Sequence, residues 1–117
     1  MKEILSIISN ATKTEGRHVI SPEAGYPMIT DGVKAVGDAA KCRDLLLTIG
    51  EWQTKSGKLD SAFQKWVLTV KDNKAKYRVY DKGSKRVITV LIPYVDTRLK
   101  ALTLYLVDGT LMLPTEY

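Results

Sequence analysis

One cysteine, one histidine and one phenylalanine occur among the 117 residues. A lone Cys42 cannot close an internal disulfide, and no paired cysteine spacing suggests a zinc module or a secreted framework, so a reducing compartment, the cytoplasm, is expected. Transition-metal sites draw on several His, Cys or carboxylate ligands at tight spacing, and a chain with one imidazole and one thiol offers little for them; neither metal nor cofactor is expected. The apolar residues Ile4, Leu5, Ile7 and Ile8 form too short a stretch for a signal sequence, and no run approaches the ~20 apolar residues of a membrane helix. No membrane partner is expected. Gly25 and Gly32 fit neither the G-x-x-x-x-G-K nor the G-x-G-x-x-G spacing, which removes the common phosphate loops.

What is present suffices for one core. A hydrophobic content of 44% with 26% charged residues of mixed sign is the profile of a folded chain of single-domain size, so residues 1–117 are read as one domain. The net charge of +5 is unevenly placed. Between Lys55 and Arg86 ten basic residues face three acidic ones, a local balance of +7 that leaves the remainder slightly acidic.

Apolar spacing predicts a short helix over 2–10, followed by an irregular loop over 11–27 that contains Gly16, Pro22, Gly25 and Pro27. Thr30 or Asp31 can cap the next helix by accepting a bond from a first-turn backbone N–H. Val33, Val36 and Ala40 form its stripe, with Gly37 suggesting close packing. Leu45, Leu46, Ile49 and Trp52 continue the stripe, with a bend near Cys42 to Asp44 that can split it into two helices, and Gly57 closes the region.

From Gln64 the period changes to two: Trp66, Leu68 and Val70 alternate with more polar neighbours, as in a strand with one buried face. Segments 77–81 and 86–92 repeat the pattern across a hairpin-like connection at 81–85, and Leu102, Leu104 and Leu106 mark a fourth strand. Asp108-Gly109 supplies the positive φ angles of a two-residue type I′ turn, after which 110–113 pairs back. The expected fold class is α+β, with N-terminal helices packed on one face of a four- to five-stranded antiparallel meander sheet. Trp66, Leu68, Leu104 and Leu106 should point into its core.

Several residues invite chemistry. Cys42 and His18 can be set against each other as nucleophile and base, but a buried helix thiol and a surface histidine is the simpler reading. Asp31, Asp38, Asp44, Asp96 and Glu116 can supply a carboxylate pair, against which stands their use as caps and solvated charges. A small hydrolase or transferase built on His18, Asp31, Asp96 or Glu116 is therefore an alternative, and no catalytic residue is assigned. Lys65, Lys71, Arg78, Tyr80, Lys85 and Arg86 surround the first hairpins; cations interleaved with an aromatic can follow a phosphate backbone or meet an acidic protein. The bland alternative is that lysines guard hairpin edges against sheet-to-sheet aggregation. Trp52 and Trp66 can anchor a partner, although packing between helix and first strand explains them as well.

Three segments carry a resemblance: Ile29-Thr30-Asp31-Gly32-Val33, Ile92-Pro93-Tyr94-Val95-Asp96 and the ending Leu111-Met112-Leu113-Pro114-Thr115-Glu116-Tyr117. Over roughly residues 26–117 the chain resembles an uncharacterised family of small bacterial, phage and prophage proteins with a TDGV helix start and an LP(S/T)EY ending. It departs from that pattern at Lys13 to His18, which lack an aromatic cluster. The resemblance brings no catalytic residue, but its mobile-element distribution implies an accessory role, such as occluding a host defence complex of the CRISPR type. The expectation is thus a non-enzymatic module with a protein partner. Its candidate contacts are Lys65, Lys71, Arg78, Tyr80, Lys85, Arg86, Tyr94 and Asp96. Nucleic acid is the alternative partner, and pairing of two copies through the Tyr105 face stays open.

Overall fold

The computed structural model describes residues 17–19, 26–55, 62–81, 86–97 and 99–117. The helix expected over 2–10, Gly57 and the connection at 82–85 lie outside them. Among the described residues two helices and seven strands make an α+β fold: β1 (Arg17–Val19), β2 (Met28–Thr30), α1 (Asp31–Ala40), α2 (Arg43–Lys55), β3 (Phe63–Lys71), β4 (Lys74–Asp81), β5 (Arg86–Ile92), β6 (Ala101–Val107) and β7 (Thr110–Met112). A 3₁₀ turn, Pro114–Glu116, follows.

Local chemistry sets the helix ends. The Thr30 hydroxyl accepts the Val33 N–H and caps α1. Lys41 then turns left-handed, with φ 54° and ψ 44°, and its N–H bonds back to the Gly37 carbonyl. The break between the helices therefore falls at the anticipated place. A Cβ on Gly37 would stand 3.1 Å from a Leu46 methyl, in keeping with the close approach read from that glycine.

Turn chemistry sets the hairpins in the same way. Asp108 (φ 46°) and Gly109 (φ 84°) join β6 to β7 with Val107 opposite Thr110. A second turn of the same hand, Asp72 (φ 54°) and Asn73 (φ 60°), joins β3 to β4 and starts β4 three residues before the strand expected over 77–81.

The sheet itself differs from the expected meander. Its order is β1-β2-β7-β6-β3-β4-β5, seven strands, with β2 and β7 parallel and the other neighbours antiparallel. In a meander β5 would lie beside β6. Instead β6 crosses to the far side of β3, which becomes an interior strand paired to β4 on one side and β6 on the other. The two extra strands have three residues each, and β1 falls inside the segment read as a loop. Three residues are too few to display a period of two, so their pairing partners reveal them and their own sequence does not.

Both helices cover one face of this sheet. Trp66, Leu68 and Leu104 are fully buried there, and Leu106 nearly so, as expected. Tyr77 reaches through the layer to donate its hydroxyl to the Leu45 carbonyl of α2 at 2.8 Å, and its ring meets Trp66 edge-on at 5.1 Å. The side-chain amides of Gln53 on α2 and Gln64 on β3 bond reciprocally at 2.8 Å, and Gln64 Oε1 also accepts the Trp66 indole N–H. Trp66 is thus a core residue with its one donor satisfied, while Trp52 is half-buried against the same core. Among the described residues no helix is long and apolar enough to cross a membrane.

Candidate binding face on the open side of the sheet

The pleat sends alternate side chains of β3 to β7 away from the helices. In register, the outward rows read Tyr80–Lys65–Tyr105–Met112, then Thr89–Arg78–Val67–Thr103, then Leu91–Lys76–Thr69–Ala101, with Lys71 opposite Lys74 beyond them. Not one outward strand position in this set is an Asp or Glu; carboxylates adjoin it at Asp72, in the β3–β4 turn, and at Asp108, in the β6–β7 turn. Edge protection does not account for these cations. Lys65 and Lys71 stand on β3, and Lys74, Lys76 and Arg78 on β4, and both strands are interior. Lys71 directly faces Lys74, an arrangement of like charge that weakens a strand pair.

Aromatic rings gather at the other end of the same face. Phe63, Tyr105 and Tyr117 form a triangle with centroid separations of 5.3, 5.9 and 5.4 Å, all tilted or edge-on. Lys65 lies beside it with its ammonium 5.8 Å from the Tyr80 ring centroid, within cation–π range. The basic end opens into a broad cavity of about 710 Å³ between the β3–β4 turn and the end of β5, bordered by Lys71, Asp72, Lys74, Lys76, Leu91 and Pro93.

The sequence candidates separate into two groups. Lys65, Lys71, Arg78 and Tyr80 share the open face. Arg86 pairs with Tyr80 in the β5 ladder, and Lys85 lies outside the described residues. Tyr94 and Asp96 follow β5 and turn toward the helices, on the rim of a second cavity of about 220 Å³ that also borders Lys41, Cys42 and Asp44. Of the three clustered rings, Phe63 is absent from the expected contacts, the Tyr105 face enters them only as a surface for pairing two copies, and Tyr117 only as the last residue of the LPTEY ending. The alternation Phe63-Gln64-Lys65-Trp66 carried the signal for the first, but Tyr117 joins the cluster through the C-terminal turn, which no strand period reports.

Among the residues considered for catalysis, the structure joins His18 to Asp31 and keeps Cys42 apart from both. His18 donates a ring N–H to Asp31 at the start of α1, whereas Cys42 follows its other end, about 15 Å away for a ten-residue helix. Cys42 is buried with its Sγ 3.9 Å from the Val36 carbonyl, and burial pushes its pKa up to about 11, so at neutral pH it is a thiol and a poor nucleophile. Burial likewise raises the Tyr77 phenol well above its ordinary value, with the neighbouring Cys42 adding to the effect.

Glu116 is buried rather than solvated. Its Oε1 accepts the Thr30 hydroxyl at 2.6 Å and the Leu113 N–H at 2.9 Å, and Oε2 accepts the Gly32 N–H at 3.3 Å. The carboxylate therefore sits on the N-terminus of α1, where free backbone donors and the helix dipole favour an anion. A Cβ at position 32 would lie 2.7 to 2.9 Å from the carboxyl atoms, which is why a glycine stands there. The TDGV and LPTEY segments, 84 residues apart, are two halves of one latch.

Taken together, fold and surface define an α+β domain with a helical layer on one face of a mixed sheet and a basic, aromatic surface on the other. The chain belongs to a family of unknown function (DUF6876), whose model matches residues 2–117. No curated protein and no solved structure matches it.

Proposed function

We propose that the protein is a non-enzymatic binding module and that the open face of the sheet is its binding surface. One observation carries this reading: cations on interior strands, with no carboxylate at any outward position from β3 to β7, where neither core packing nor edge protection calls for them. Lysines brought to face each other lower the stability of the sheet and favour an anionic occupant. The use of Glu116 as a buried latch takes one group away from the hydrolase or transferase alternative, whereas His18 and Asp31 stand hydrogen-bonded to each other at the start of α1.

A protein partner, with the chain acting as an accessory inhibitor that covers a host complex, is the second reading. It draws support from Tyr94 (68% exposed), which follows β5 on the rim of the cavity near the helices and is the kind of group that anchors interfaces. Affinity capture from the native host, comparing wild type with the Lys65→Glu/Arg78→Glu and Tyr94→Ala variants, tests both. Loss of the captured partner in the first variant supports the open face; loss confined to the second moves the binding surface to the end of β5. Retention in both removes the two surfaces together.

A further inference from the structure

Resting on the reading of the open face as the binding surface, we infer that its occupant is single-stranded nucleic acid, with bases stacked at the aromatic end and phosphates held at the basic end. The rows of the face divide this work along the strand axis. Tyr80, Lys65 and Tyr105 are cross-strand neighbours in one row, with Phe63 and Tyr117 packed beside Tyr105. Arg78, Lys76 and the pair Lys71/Lys74 occupy the next three rows in turn. At roughly 3.4 Å per residue, three two-residue steps separate the Tyr80 row from the Lys71 row by about 20 Å, a length that several nucleotides can follow.

Each end has the chemistry its role requires. Base stacking needs exposed ring area held at a fixed height above a rigid support, and rings on paired strands provide it without the entropy loss of ordering a loop. Tyr117 remains 61% exposed while edge-packed on Phe63 and Tyr105, and so is fixed but reachable. A phosphate chain needs cations in excess over carboxylates. Four of the cations stand within the 71–78 segment against the one carboxylate of Asp72, and the cavity that Lys71, Asp72, Lys74 and Lys76 border is a concave place for the chain to run.

Duplex fits less well. A sheet face with tilted rings offers stacking only to unpaired bases, and among the described residues neither helix lies on that face to enter a groove. An acidic protein would satisfy the cations but would leave the aromatic end without a specific role.

Fluorescence anisotropy with labelled oligodeoxythymidylate and oligouridylate of about twelve nucleotides tests the inference, with a hairpin duplex and heparin as competitors. Wild type should bind both single strands, with affinity falling by about 0.7 of a log unit per log unit of salt for each phosphate neutralised. Lys76→Glu/Arg78→Glu should weaken binding at least tenfold and flatten that slope. Tyr80→Ala/Tyr105→Ala should weaken binding roughly tenfold or more with the slope kept, and Tyr80→Phe/Tyr105→Phe should restore it because the ring is retained. Circular dichroism and melting establish that each variant is folded. The ratio of the oligouridylate and oligodeoxythymidylate affinities assigns the preference between RNA and DNA.

The inference is overturned if wild type binds neither oligonucleotide at low salt. It is equally overturned if the tyrosine variants bind like wild type, or if duplex and heparin compete as well as the single strand, since the face would then be a general polyanion surface. Should oligonucleotides fail while Lys65→Glu/Arg78→Glu still abolishes capture of a protein, the binding-face reading stands and the nucleic-acid assignment falls. If neither oligonucleotide nor protein depends on this face, both fall.

Discussion

The two faces of the sheet are built from the same strands and differ in almost everything else. The face under the helices carries Trp66, Leu68, Tyr77, Leu104 and Leu111, each fully buried, and satisfies its polar atoms internally through the Gln53–Gln64–Trp66 and Tyr77–Leu45 bonds. The open face alternates cations with half-buried rings and brings Lys71 against Lys74. One face holds the fold together, and substitutions there should act on stability. The other contributes little to the core, so substitutions there should act on binding while the fold persists.

The largest expected effect lies on the covered face. Trp66→Ala should lower stability by about 3–5 kcal/mol through loss of buried area and an incompletely collapsed cavity, read as a drop in urea midpoint. A value below about 1 kcal/mol would mean that the covered face is not the core.

The latch comes next. Glu116→Ala strands the Thr30 hydroxyl and the Gly32 and Leu113 N–H groups and should lower stability by about 3 kcal/mol. Gly32→Ala forces a Cβ against the carboxylate and should lower it by about 1–3 kcal/mol. Combined, the second change should add far less than it does alone, because the clash disappears with the carboxylate. Simple additivity in the double-mutant cycle would break the pairing of the two segments.

Alkaline pH probes the covered face without mutation. Folding raises the Cys42 pKa from 9.0 to about 11, so the stability linked to this thiol is complete below pH 9 and is lost as pH rises through 11. Tyr77, raised in the same direction, extends the loss to higher pH. Melting temperature should therefore be level near neutrality and fall above pH 9, and Cys42→Ala should remove part of that slope. A melting temperature that does not decline at high pH would contradict the burial of both groups.

Smaller effects belong to turn and open face. Gly109→Ala, at φ 84°, should lower stability by about 1 kcal/mol. Lys76→Ala and Arg78→Ala should change it by less than about 0.5 kcal/mol, or raise it slightly by relieving like-charge repulsion on β4. A loss of several kcal/mol from either would erase the division between the faces.

Much of the covered face was legible in the residues. Trp66, Leu68, Leu104 and Leu106 announced themselves by a period of two, a helix cap at Thr30 or Asp31 by the short side-chain oxygens there, and the Asp108-Gly109 turn by its backbone requirements. The open face was legible in part, because Lys65, Arg78 and Tyr80 follow from the same alternation. Their meaning was not. Calling them edge guards or ligand contacts depends on whether β3 and β4 lie inside the sheet, which no local pattern states. Tyr94 and Asp96, grouped with them by sequence, turn out to border a separate cavity near the helices.

By itself the sequence determined the hand of the Asp108-Gly109 turn, the split between the helices and which side of each long strand is greasy, since these depend on backbone preferences and side-chain spacing over a few residues. Only the tertiary structure decided that β6 pairs with β3, that β2 runs parallel to β7, and that Glu116 closes over the helix start at Thr30 and Gly32. Those contacts join segments tens of residues apart, and their free energy comes from burial and bond satisfaction available only once the layers have met.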